Sequence, residues 1–158
     1  LDVLKKKWSK IKNKVHTVKK ATIKFKPFST KQKKVLTWWM DNSPVHDIDG
    51  IIADGAIRSG KTVSMSLAYV VFVMEKFNGQ NAGMCGKTIG SFRRNVLFWL
   101  KLMLKARGYN IQDKRADNQL IVTKGNVTNY FYIFGGKDER SQDLIQGRVM
   151  PPYTEMYK

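Results

Sequence analysis

The eight residues Gly55-Ala56-Ile57-Arg58-Ser59-Gly60-Lys61-Thr62 constrain this chain more than any other stretch of it. They form a complete G-x-x-x-x-G-K-T, preceded by the short apolar run Ile51-Ile52-Ala53, which reads as a buried strand, and followed by a helical pattern from Thr62 to Phe77. In that order the glycines let the backbone curl, so that successive N–H groups face inward as an anion nest. The helix adds the positive end of its dipole at the same spot. Such a turn holds phosphates. Lys61 is placed to reach the β- and γ-phosphates as a point charge, and the Thr62 hydroxyl to ligate Mg2+. Arg58 has two readings: a guanidinium leaning toward the γ-phosphate to stabilise charge developing during transfer, or a solvated charge.

The surrounding sequence reads as a frame for that turn. Ala82 to Gly86 has the character of a second strand, and Ser91 then caps a long helix that runs to Arg107 and stops at Gly108. A βαβα order of this kind implies a parallel sheet with helices on its faces. Leu120 to Thr123 and Val127 to Phe134 flank Lys124-Gly125-Asn126, the pattern of a hairpin with a tight turn. Upstream, Pro27 breaks the chain and Phe28-Ser29-Thr30 opens a capped helix over Lys31 to Met40, closed by Asp41-Asn42-Ser43-Pro44. Trp38, Trp39 and Trp99 stand at helical positions and are expected in the core. A short helix is expected around Gln142 to Gln146.

Charge narrows the partners. With 158 residues the chain is the size of one domain, and 29 Lys and Arg against 12 Asp and Glu give it a net +17, which implies an anionic partner. Residues 1–34 hold thirteen lysines, no arginine and a single acid, Asp2, so the basicity belongs mainly to the N-terminal stretch. Within it Leu4, Trp8, Ile11, Val15 and Val18 recur at helical spacing, predicting an amphipathic basic helix over residues 1–24. Its stripe can pack on the main domain, or its lysines can meet phosphates or an anionic membrane. Lysine without arginine favours non-specific phosphate attraction over base reading. No apolar run approaches the roughly 18 residues of a membrane span, and no signal peptide is visible. The lone Cys85 excludes an internal disulfide.

Hydrolysis of a bound triphosphate also requires an acid at the end of a neighbouring strand. No apolar run leads directly into Asp-Glu. Asp138-Glu139 is separated from Tyr130 to Phe134 by Gly135-Gly136-Lys137, and Glu155 follows Pro151-Pro152, which is incompatible with an interior strand.

Taken together, the chain resembles the ATPase domain of a bacteriophage terminase large subunit. The resemblance spans about residues 25 to 147 and rests on Pro27-Phe28-Ser29-Thr30-Lys31-Gln32, on Gly55 to Thr62, on Gly83-Met84-Cys85-Gly86-Lys87-Thr88 with Phe92-Arg93-Arg94-Asn95-Val96, and on the stretch from Gly135-Gly136-Lys137-Asp138-Glu139 to Ile145-Gln146-Gly147. It implies an α/β fold with an incomplete RecA/ASCE-like P-loop NTPase core on a parallel sheet, the basic N-terminal amphipathic helix before it and an atypical tail over residues 148–158. It implies that Gly55, Ala56, Ile57, Arg58, Ser59, Gly60, Lys61 and Thr62 bind ATP, with Mg2+ on Thr62, and that Lys61 and Arg58 serve catalysis. Gln32 is expected to read the adenine edge, and Asp138 and Glu139 to belong to a connecting loop. Lys87, Arg93 and Arg94 are either DNA-facing or the solvated start of a helix. The implied partners are double-stranded DNA, a terminase small subunit, a portal ring and further copies of the chain, in the cytoplasm of a bacterial host. The tail after Gly147 departs from the family, so the Walker B strand, the coupling motif and the nuclease domain are expected to be missing. A non-catalytic nucleic-acid-binding remnant, a helicase and a small kinase are the alternative readings.

Overall fold

The computed structural model describes residues 25–136. The expected basic helix over residues 1–24, the helix around Gln142, the pair Asp138-Glu139 and the tail over residues 148–158 lie outside the described residues. Within them the order is α1 (Thr30–Leu36), α2 (Lys61–Lys76), β1 (Asn81–Gly86), α3 (Ile89–Phe92), a π-helical turn (Arg93–Leu97), α4 (Phe98–Lys105), β2 (Asn110–Lys114), β3 (Gln119–Lys124) and β4 (Val127–Gly135). No helix among the described residues is long and apolar enough to cross a membrane.

The four strands form one sheet in the order β1-β4-β3-β2. β1 and β4 run parallel, with Ala82 opposite Phe131 and Met84 opposite Ile133, while β2, β3 and β4 form an antiparallel meander. The α/β class and the parallel crossover from β1 therefore hold. The sheet as a whole is mixed, because the hairpin read from Gly125 carries a third strand, β2, that the sequence conceals. Residues paired across a ladder share a face. Ala82, Met84, Leu120, Val122, Asn129, Phe131 and Ile133 accordingly point to one side and are all buried there. Leu67, Val70 and Met74 of α2 and Leu100, Met103 and Leu104 of α4 complete the same core.

Three expectations need correction. Ile51-Ile52-Ala53 forms no strand: Ile52 is 97% exposed, and no described strand pairs with the segment. Apolarity signals a demand for burial but supplies no hydrogen-bonding neighbour. The cap of the second long helix is Thr88, whose hydroxyl accepts from the Ser91 N–H at 3.1 Å, and the helix is interrupted by the π turn. Trp99 is 40% exposed and stacks edge-on with the exposed Phe98, because Leu97, Leu100, Met103 and Leu104 take the buried stripe and residue 99 lies off it. Trp38 and Trp39 do pack inward, against Phe72 of α2, although α1 ends at Leu36 and they sit in the turns beyond it.

The π turn has a visible effect. It takes up about one residue more than an α turn, so two turns span about eight residues where two α turns span about seven. Arg93 and Lys101, eight positions apart, thereby reach one carboxylate, that of Asp113 on β2, at 2.8 and 2.7 Å. Burial pushes the Asp113 carboxyl up, but hydrogen bonds from Lys101 and Arg93 and their two charges outweigh it and hold it below the usual carboxylate value.

Asn129 fastens the other end of α2. It is fully buried, and its Nδ2 donates to the carbonyls of Phe77 at 2.9 Å and Val73 at 3.3 Å, while its Oδ1 accepts from the Gln80 N–H at 2.9 Å. One amide thus satisfies the Phe77 carbonyl and the Gln80 N–H beyond the helix end, and adds a second donor to the Val73 carbonyl, which already accepts from the Phe77 N–H at 3.0 Å.

Two outcomes are expected. Asn129→Leu keeps the branching at Cγ but is bulkier and strands the Phe77 carbonyl and the Gln80 N–H, and should cost about 2–4 kcal/mol of stability, read as a lower urea midpoint at unchanged m. For Asp113 the folded pKa lies below the unfolded value of about 3.9, so its contribution is present at neutral pH and lost as pH falls through the lowered value. Asp113→Asn should therefore lower the melting temperature at pH 7 and flatten the loss of stability below about pH 4. An unchanged acid limb would show that the ion pairs contribute nothing.

Candidate functional site

The turn between Asp54 and α2 is built by alternating backbone handedness. Gly55, Arg58 and Gly60 have positive φ values of 142°, 64° and 83°, whereas Ala56, Ile57 and Ser59 between them do not. Such alternation turns consecutive N–H groups toward one side, the geometry of an anion nest. Arg58 carries this conformation without being glycine, which stores of the order of 1–2 kcal/mol of strain at the apex of the loop. Gly60 then serves as the N-cap of α2, a 16-residue helix whose first-turn N–H groups open toward the loop.

Lys61 lies at the first helical position and folds back over the loop. Its Nζ donates to the carbonyls of Gly55 at 2.6 Å and Ala56 at 2.7 Å, and to the Ser59 hydroxyl at 3.3 Å. The ammonium is therefore tethered inside the turn that supplies the N–H groups. Thr62 is exposed, and its hydroxyl makes no hydrogen bond within the described residues. A free hydroxyl at the first turn fits one ligand position on a hard cation, which usually keeps several waters and takes phosphate oxygens beside one or two protein ligands. No group of three or more His, Cys, Asp or Glu that could hold a metal occurs among the described residues. Arg58 is exposed and forms no ion pair with them. Ile57, beside it, is 92% exposed.

Two contacts around the loop are absent from the sequence reading. Asp54 accepts the Gly55 N–H at 2.7 Å and so pins the entry to the turn. Gln32, expected to read the adenine edge, holds a double position among the described residues. Its Oε1 accepts from the Ser29 N–H at 2.9 Å as the return half of a capping box on α1, and its Nε2 donates to the Ser59 carbonyl at 3.0 Å. The S-x-x-Q spacing of Ser29 and Gln32 is the available signal for the box. Nothing local signals the second bond, which joins residues 27 positions apart.

Among the described residues, no hydrogen bond or ion pair joins Lys87, Arg93 or Arg94 to the loop. Arg93 is spent on Asp113 with its side chain only 18% exposed, so it is not a solvated charge, whereas Arg94 and Lys87 are exposed. A separate cavity of about 280 Å³ lies between α1, the segment around Asp49 and α2, lined among others by Val35, Trp38, Ile51, Met65 and Phe72. None of Gly55 to Thr62 lines it. Tyr69, also on its wall, donates to the Gly83 carbonyl of β1 at 3.1 Å, and burial holds its hydroxyl above the usual phenol value.

No family model and no curated protein matches the chain. Solved structures do. A large terminase from a thermophilic bacteriophage superposes with a TM-score of 0.74 at 65% identity, covering 77% of this chain and 30% of that one. The same bacteriophage protein in complex with ADP gives 0.71 at 64% identity over 73% of this chain and 29% of that one. In complex with ATP-gamma-S it gives 0.72 at 50% identity over 80% of this chain and 36% of that one. The chain thus spans about a third of the length of the structures it matches. At such identity over about three-quarters of its residues, with the mixed sheet and the loop-to-helix turn described above, the chain belongs to the large-terminase family and has its P-loop NTPase fold.

Proposed function

We propose that the chain binds ATP at Gly55 to Thr62 and is the nucleotide-binding segment of a motor that couples ATP hydrolysis to movement of double-stranded DNA. The observation that carries this reading is the tethered Lys61 in a turn of alternating handedness at the head of α2. Complexes of the similar bacteriophage terminase with ADP and ATP-gamma-S support the choice of nucleotide.

In this reading each group has one task. The N–H groups of the nest donate to the phosphate oxygens, and the dipole of α2 adds to their field. Lys61 exchanges the Gly55 and Ala56 carbonyls for β- and γ-phosphate oxygens as a point charge. Thr62 would offer its hydroxyl to Mg2+, which would neutralise phosphate charge at the site. Arg58, free of protein partners among the described residues, has the reach to stabilise charge on the transferred group. The DNA, small-subunit and portal partners, assembly with further copies and the location in a bacterial host's cytoplasm follow from family membership alone. So does Mg2+ as the metal.

The test is a titration of a fluorescent ATP analogue into the full chain, with and without Mg2+. Lys61→Ala should weaken binding about ten- to hundredfold, the value of a lost charge-assisted contact. Thr62→Ala should weaken it only when Mg2+ is present. Binding that survives Lys61→Ala unchanged would reject the nucleotide reading and leave a nucleic-acid-binding module.

A further inference from the structure

We infer that Gln32 is a positioning residue for the phosphate loop: its side-chain amide holds the Ser59–Gly60 peptide in the orientation that presents the Gly60 N–H to an anion. The inference rests on the nucleotide reading above but concerns a residue that touches neither the phosphates nor the metal.

The geometry is specific. In a trans peptide the carbonyl of one residue and the N–H of the next are fixed in one plane and point in opposite directions. Gln32 grips the Ser59 carbonyl from the α1 side, at 3.0 Å. The Gly60 N–H of the same unit is thereby aimed away from α1. This peptide lies between the two left-handed residues Arg58 and Gly60, where the backbone is least able to hold its own orientation. The grip also accounts for the residue at position 60. A Cβ built there would stand 2.4 Å from the Gln32 Nε2, so any other residue would push the amide off the Ser59 carbonyl as well as strain a φ of 83°.

Gln32 is in turn held from behind. Its Oε1 is engaged by the Ser29 N–H, the capping box that starts α1, so both ends of the amide are fixed at once. A side chain locked at both ends loses little further freedom when it orients a third group. Because the amide acts on the backbone of the loop, this effect reaches any ligand that carries the phosphates, whatever its base.

Three ligands separate the possibilities: ATP, GTP and inorganic tripolyphosphate, each titrated with Mg2+ into the wild-type chain, Gln32→Met and Gln32→Glu. Gln32→Met should weaken all three, GTP and tripolyphosphate included, by about three- to tenfold. Gln32→Glu retains an acceptor for Ser29 but has no proton for the Ser59 carbonyl, and should weaken all three at least as much. A loss confined to ATP would make Gln32 a base reader and overturn the inference, as would wild-type affinities in both variants. Hydrogen exchange of the ligand-free chain over residues 56–62 supplies a second readout. Exchange should quicken in both variants at unchanged rates over β3 and β4, and an unchanged loop would also overturn the inference. If wild type binds none of the ligands while exchange responds as stated, the nucleotide reading fails and the positioning of the loop stands.

Discussion

The structure depends on the anchoring of one helix at both ends. α2 rises about 24 Å from the Gly55–Gly60 loop at its N-terminus to the buried Asn129 amide at its C-terminus. Its buried stripe of Leu67, Val70 and Met74 fixes how it lies on the sheet, but apolar contacts alone tolerate sliding. The hydrogen bonds of Asn129 to Val73 and Phe77 do not, because they have angular and distance limits of a few tenths of an ångström. Gln32 provides the corresponding restraint at the loop end, through Ser59. Between these two amides the helix is a fixed rod, and the nest at its head inherits that fixity.

How much of this can be read from residues alone depends on the range of the interactions. The loop and α2 are legible because glycine placement, the lysine and the 3.6-residue period all act within a few positions. The β3–β4 hairpin is legible too, since Gly125 with its φ of 58° marks a turn between two apolar runs. β2 is not. Asn110 to Lys114 contains one apolar residue, Ile111, and an edge strand with one half-buried side gives almost no hydropathy signal. Ile51 to Ala53 misleads for the opposite reason, having strand-like composition and no described strand beside it.

The site follows the same rule. The Gly55–Thr62 turn is marked by its glycine spacing, and Gly55 and Gly60 take the positive φ that glycine allows. Asn129 gives no such signal, because its partners lie 49 to 56 residues away in sequence. Gln32 is singled out by the resemblance for a base-reading role, while its local one, the return half of the Ser29 capping box, is written in the spacing of the two residues. The π turn leaves no trace that a period of 3.6 can detect, yet it decides that Arg93 and Lys101 share Asp113.

The topology also distributes the entropy of ordering unevenly. β2, β3 and β4 are joined by connections of a few residues, so the meander closes at small cost once its first contacts form. The parallel ladder is different: Asn81 meets Tyr130, and everything from β1 through α4 to the meander is enclosed between them. Among the described strands, that pairing is the one long closure. Asn129 stands at its threshold, bonded to Gln80 one residue before the ladder begins, so the same amide that caps a helix also latches the long crossover.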